Sequence, residues 1–158
     1  MAIYLQIEGI KGNVTAKGHE DWIDISSVQW GVGRAISSAV GTSADREASK
    51  PSISEVTVTK LMEESTPLIF TEACVGKSKK VSIHLCTTGT DSIETYMEYD
   101  LEDCMVSGYS MSSGGDRPSE SISFSFTKLM MKYIPYDKAG KAMSPIPAGY
   151  DMAAGTKV

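Results

Sequence analysis

Residues 22–32 read WIDISSVQWGV. Ile23 and Ile25 lie on one side of an extended chain, because successive strand side chains point to opposite faces. Val28, Trp30 and Val32 then carry the apolar side on the opposite parity. A slip of one residue exchanges the two faces of a strand, so a bulge or bend is expected near Ser26–Ser27. The same slip recurs downstream. Ile93, Met97, Tyr99 and Leu101 oppose Glu94, Glu98, Asp100 and Glu102, after which Cys104 and Val106 take the apolar face. Ile122, Phe124 and Phe126 alternate with Ser121, Ser123 and Ser125, and Thr127–Lys128 hands over to Leu129, Met131 and Tyr133. Strands that change phase are strands that bend or pass between sheets, which is how curled sheets turn corners.

The remaining elements fit around these strands. Ile3, Leu5 and Ile7 alternate with polar partners, as do Val56 and Val58 within Ile53–Lys60, and Val81, Ile83 and Leu85 against Ser82, His84 and Cys86. One helix is expected, opened by Ser65-Thr66-Pro67 as a hydroxyl cap before a first-turn proline. Its core-packing face is read as Leu68, Ile69, Ala73 and Cys74, with Gly76 closing it as a left-handed cap. The fold class is mainly β: an antiparallel β-barrel or sandwich with one short α-helix packed on it and a long extended loop. That loop, 33–52, is small, polar and without usable periodicity, and loops of this length are usually functional or disordered. Residues 1–158 form one domain, with 137–158 as a C-terminal tail, and Pro135, Pro145 and Pro147 make about the last twenty residues extended and irregular.

A net charge of −5 with scattered lysines gives no footprint for nucleic acid, and the Lys77, Lys79, Lys80 group reads as a solvated turn. The opening MAIYLQIEGI has neither a charged leader nor an apolar run of signal length, and no segment has the roughly twenty apolar residues that span a bilayer. A soluble chain that bypasses leader-peptide export is expected. Three cysteines without a CxxC pair are not a disulfide framework.

Sites of chemistry are scarce. His84-x-Cys86 has a spacing a metal can use, but the balance favours an exposed histidine and structural thiols at Cys74, Cys86 and Cys104. His19 reads as solvated in a polar turn. Gly31-Val32-Gly33 lacks the third glycine and following helix of a dinucleotide site. Glu94, Glu98, Asp100 and Glu102 form a stripe along one strand, solvated or facing a channel, rather than two carboxyls across a cleft. No catalytic residue, metal or cofactor is assigned, and the pattern argues against an enzyme.

Six strings in order carry a resemblance: IYLQIEGIKG, WIDISSVQWGVGRAISS, TSADREASKPSISEVTVTK, the STP-led helix, LEDCMVSGYSMSSGGDRPSESISFSFTK and YIPYDKAGK. Together they cover nearly the whole chain, which resembles the Hcp family, haemolysin-coregulated proteins of the type VI secretion system tube. The resemblance implies hexameric rings stacked head to tail into a hollow tube. Arg34, Ser37, Ser38, Asp45, Arg46, Glu47 and Lys50 of the long loop would then reach the next ring. It also implies sheath and spike or baseplate proteins as partners, effector proteins in the lumen, and no nucleic acid or stable membrane insertion. The subunit would be cytoplasmic before firing and then secreted without a signal peptide. The acidic stripe and the Ser121, Ser123, Ser125 face are the two candidates for lining the bore. Rival readings are a tube subunit of another contractile, phage-tail-like machine and a monomeric ligand-binding β-barrel.

Overall fold

The phase slips mark the corners of a two-layered sandwich. In the computed structural model, which describes residues 1–38, 46–89 and 91–158, the run from Trp22 divides into β2 (Ile23–Ile25), β3 (Ser27–Gln29) and β4 (Val32–Gly33). β2 pairs with β1 (Ala2–Ile7), whereas β3 pairs with β8 (Val56–Leu61). At the change-over Ser26 donates its N–H to the Thr59 carbonyl at 2.7 Å. The strand leaves one layer and enters the other, as its reversed apolar parity requires.

The second corner is built by the long strand β10 (Ile93–Ser112) and the pair beside it, β11 (Ser119–Ser125) and β12 (Lys128–Tyr133). The first half of β10 pairs with β9 (Lys79–Thr88) and with β12, and its second half pairs with β11. Its register shifts between Leu101 and Cys104, where Asp103 adopts φ 51°, a left-handed conformation that aspartate tolerates better than most residues. Across the corner the Thr127 hydroxyl lies 3.4 Å from the Asp103 carboxylate.

Layer one thus runs β2-β1-β9-β10-β12 and continues into β13 (Ile146–Asp151) and β14 (Thr156–Lys157). Layer two is the second half of β10, then β11, β8 and β3. Every ladder is antiparallel. Among the described residues no ladder closes the path on itself, so the architecture is a sandwich rather than a closed barrel.

The inward positions fill the space between the layers. Leu5, Ile23, Ile83 and Leu101 from layer one meet Val58, Ile122 and Phe124 from layer two, each 0 % exposed. Each contributes on the order of 1.5–3 kcal/mol by leaving water.

Expectations for the helix and for the tail are corrected. The helix α1 (Thr66–Val75) forms where its proline start placed it, but only Ile69 is buried; Leu68, Phe70, Cys74 and Val75 are exposed. Ser65 caps no backbone amide with its side chain, its hydroxyl being bonded to the Glu63 carboxylate. Gly76 is extended, with φ −67° and ψ 158°, rather than left-handed. The residues after Tyr136 are also more regular than expected: β13 pairs along β12, and β14 folds back on β13. Pro147 is tolerated because β14 reaches only Tyr150 and Asp151, leaving the outer side of Pro147 unpaired. The Asp151 carboxylate accepts the N–H groups of Ala153 and Ala154 at 3.0 and 3.1 Å and holds the turn.

What fastens the helix is polar. Lys60 and Glu120 are register partners on β8 and β11, in phase with the core valines and phenylalanines, and both side chains are 0 % exposed. The Lys60 ammonium sits 2.5 Å from Glu120 Oε1 and 3.5 Å from Glu63 Oε1. Glu120 also accepts from Thr66 Oγ1 at 2.9 Å and from the Tyr109 hydroxyl. Burial alone would push the Glu120 carboxyl up, but the bonds from Lys60, Tyr109 and Thr66 hold it below its usual value of 4.5. Burial, with Glu120 beside it, pushes Tyr109 up to about 12.

Removing one member of this pair leaves an uncompensated buried charge. Lys60→Met is expected to cost about 3–5 kcal/mol in urea unfolding, and Lys60→Met with Glu120→Leu to recover most of that loss. A carboxyl with a depressed folded pKa contributes stability above its unfolded value and loses it as pH falls through the folded one. Wild-type stability should therefore decline below about pH 4.5, and Glu120→Gln, weaker at neutral pH, should show a shallower decline.

Candidate functional site

Three surfaces stand outside the core. The first is the long loop, which is partly an arm of paired strands. Val32–Gly33 pairs with β7 (Ser52–Ile53), and β5 (Ile36–Ser38) pairs with β6 (Arg46–Ala48). The weak sequence signal reflects ladders of only two or three residues. Ala35 and Ser49 clamp the two legs, Ala35 N–H donating to Ser49 Oγ at 2.9 Å and Ser49 N–H to the Ala35 carbonyl at 2.8 Å. Arg34, Ser37 and Lys50 are exposed on this arm. Ser38 is the register partner of Arg46, and Ser37 of Glu47. Asp45 lies outside the described residues. Val32 and Ile36 are exposed too, at 61 % and 53 %, so the arm presents apolar groups among its charges.

The second surface is the outer face of layer two, where register aligns two rows across the four strands. One row is Ser27, Thr59, Ser121 and Ser110; the other is Gln29, Thr57, Ser123 and Gly108. Neither row carries a charge. Ser27 and Thr59 hydroxyls meet at 2.6 Å and those of Thr57 and Ser123 at 3.5 Å, so the hydroxyls partly satisfy one another.

The third is the outer face of layer one, where the acidic stripe lies. The structure does not leave it bare. Register places Tyr4, His84, Glu98 and Lys132 in one row and Gln6, Ser82, Asp100 and Met130 in the next. Lys132 Nζ is 3.0 Å from Glu98, Lys128 Nζ is 3.5 Å from Glu102, and the Ser82 hydroxyl donates to Asp100 at 2.8 Å. Opposite charges on neighbouring strands make this a matched, half-buried surface.

On this same face His19 is 6 % exposed, which corrects its reading as a solvated residue. His84 is likewise only part-exposed, its side chain at 19 %. The two rings meet at His19 Nε2 and His84 Nδ1, 2.9 Å apart, although 65 positions separate them in the chain. Tyr4, Trp22 and Cys86 surround them, with ring centroids 4.9 Å from His19 to Tyr4 and 4.7 Å to Trp22. Burial lowers the pKa of both histidines and raises that of the Cys86 thiol. Cys104 is pushed up to about 12 by burial, so neither interior thiol is poised as a nucleophile. Among the described residues no three His, Cys, Asp or Glu side chains are arranged to hold a metal. Local pattern had no means of finding the histidine contact. The Lys60–Glu120 pair did leave a trace, because both residues sit in phase with core positions.

The sequence pattern of the family described as type VI secretion system effector, Hcp, matches residues 4–133. The chain belongs to the Hcp family. It is 25 % identical over 154 residues to protein hcp1 of Pseudomonas aeruginosa, covering 95 % of this chain and 94 % of that one. A solved type six secretion system protein superposes with a TM-score of 0.90 at 26 % identity, covering 99 % of each chain. Hcp1 from Salmonella typhimurium shares the fold with a TM-score of 0.76 at 21 % identity, over 99 % of this chain and 98 % of that one. Hcp proteins are a secreted, structural family, and this chain is a tube subunit of the type VI secretion system. Among the described residues no helix is long and apolar enough to cross a membrane.

The outer face of layer two should accept charge at no cost to the fold. Ser121→Lys is expected to shift stability by no more than about 0.5 kcal/mol. Phe124→Ala, three residues on and facing inward, should cost about 3–5 kcal/mol. Urea unfolding of the two variants checks the assignment of faces.

Proposed function

We propose that this tube subunit closes into six-membered rings through the edges of layer two, with the hydroxyl face toward the bore. The observation that carries this reading is the pair of open edges in that layer. Among the described residues, β3 pairs only with β8, and the second half of β10, Met105–Ser112, pairs only with β11. Two unlike edges on one sheet suit a heterologous contact, which yields a ring when the rotation closes. Layer one serves this role less well, since its outer face is already occupied by ion pairs and by the segment carrying His19 and Trp22. A bore lined by hydroxyls would let folded effector proteins pass without strong charge selection.

Rings would stack through the arm, with Arg34, Ser37, Ser38, Asp45, Arg46, Glu47 and Lys50 meeting the next ring. Stacking is heterologous and never closes, so it gives a filament. Six chains at −5 carry about −30 per ring, a repulsion that local charge matches in the arm would offset. Sheath, spike and baseplate proteins are the remaining partners. The subunit would assemble in the cytoplasm and be expelled with its cargo when the sheath contracts. A ligand-binding barrel is disfavoured because side chains such as Phe124, Leu5 and Ile122 fill the space between the layers.

Negative-stain electron microscopy with native mass spectrometry tests the reading. Six-fold rings with an open centre are expected, and a chain that stays monomeric even with the secretion machinery's baseplate present would overturn it. Arg34→Glu with Lys50→Glu should keep rings but shorten stacks at least several-fold at low salt; stacks of unchanged length would remove the arm from the contact.

A further inference from the structure

The segment 11–22 folds as a flap over the outer face of layer one. Its own turns are held by Gly12 N–H to the Asp21 carbonyl at 2.8 Å, Val14 N–H to the Trp22 carbonyl at 3.0 Å, and Asp21 N–H to the Val14 carbonyl at 2.8 Å. A side chain on Gly12 would start 2.3 Å from the Trp22 carbonyl, so glycine is required there. The flap covers a small apolar cluster, Tyr4, Trp22 and Cys86, separate from the main core. The short polar contact between flap and sheet in that cluster is His19 with His84, and the Cys86 thiol lies 4.0 Å from the same His19 nitrogen.

Two neutral imidazoles hold one ring hydrogen each. The 2.9 Å gap between His19 Nε2 and His84 Nδ1 admits one hydrogen. The other must sit on His19 Nδ1 or on His84 Nε2. His84 Nε2 faces Glu98 Oε1 at 3.9 Å, whereas His19 Nδ1 is buried without a hydrogen-bond partner among the described residues. The resting pair is therefore His19 Nε2–H donating to His84 Nδ1, with His84 Nε2–H turned to Glu98. One further proton, whichever ring receives it, must leave a hydrogen on His19 Nδ1, where no described residue offers an acceptor. A second would break the bond outright by placing two donors face to face.

We propose that the His19–His84 contact is a proton-operated latch, closed while the pair is neutral and released when it gains a proton. Release would lift the flap and uncover Trp22, Tyr4 and Cys86. The charges around the latch are Glu20 on the flap, Glu98 and Asp100 on β10 and Lys132 on β12, with the Tyr4 hydroxyl and Cys86 thiol beside them. Glu20, Glu98 and Asp100 favour the charged rings and Lys132 disfavours them, but burial outweighs the carboxylates for both. Both histidines therefore resist protonation relative to their usual value of 6.5 while the flap is closed. The open flap binds protons more readily, so the closed state is at full strength above about pH 6.5 and weakens as pH falls through that value.

Hydrogen exchange tests the latch. Protection factors for the Gly12, Val14 and Asp21 amides, each normalised to an unstructured amide at the same pH, should fall about tenfold between about pH 7.5 and 5.5. The β10 amides of Tyr99 and Leu101 should hold theirs. His19→Gln keeps a donor toward His84 and removes one of the two titrating rings, so its flap should show a clearly smaller acid-dependent loss, the remainder coming from His84. Unchanged wild-type protection, or an equal loss in His19→Gln, would overturn the proposal. If His19→Gln opens the flap already at neutral pH, nuclear magnetic resonance titration of the wild-type imidazoles decides instead. Both rings titrating below 6.5 supports the latch, and ordinary titration of either removes it.

Discussion

A charge pair with no access to water holds the two halves of this molecule's design together. Lys60 and Glu120 face each other across β8 and β11 at 2.5 Å, at the end of the core where the helix docks. A lysine and a glutamate at inward positions each carry a large desolvation cost, and only mutual pairing with further hydrogen bonds offsets it. Thr66 and Tyr109 supply those bonds to Glu120, and Glu63 adds a second carboxylate to Lys60. The consequence is directional. A helix that buries one isoleucine cannot be placed by apolar burial alone, but a network with fixed donors and acceptors has few alternative arrangements.

The corners depend on a different constraint. Side chains alternate strictly along a strand, so a chain that must keep its apolar residues inward while crossing between layers has to slip by one position. Ser26, Asp103 and Thr127 stand at these slips; Ser26 and Thr127 donate their N–H groups to carbonyls of β8 and β10, and the Thr127 hydroxyl reaches the Asp103 carboxylate. Bending there lets one strand, β10, serve both layers. It leaves the second half of β10 exposed as an edge of layer two, the property on which ring formation is proposed to rest.

The two outer faces then diverge in character. Layer two offers hydroxyls that bond among themselves and carry no charge, a surface with little preference for any partner. Layer one matches carboxylates to lysines strand by strand and is covered in part by the flap. In the proposed ring the first of these faces would line the bore, and the second would lie away from it.

Period-two alternation and its slips were enough to read the long strands, their bends and a barrel or sandwich architecture, because each is a local consequence of which face a side chain must take; Ser65-Thr66-Pro67 marked the helix start, and the open, two-layered path needed the strand pairings. The ordered strings at either end and in the middle were enough to read the Hcp resemblance. Lys60 and Glu120 were visible only as polar residues in apolar phase; their pairing needed the register of β8 and β11. The helix face was misjudged because Leu68 and Cys74 are apolar in type, while exposure is set by what stands opposite them. β13 hid behind Pro147 and Gly149, whose cost depends on which side of the strand is paired. His19 was read as solvated because its partners, His84, Tyr4 and Cys86, come from distant strands and meet only in the folded sheet. Local pattern determines the faces, and only the tertiary fold decides which faces meet, because contact between residues far apart in the chain is fixed by register and packing rather than by spacing.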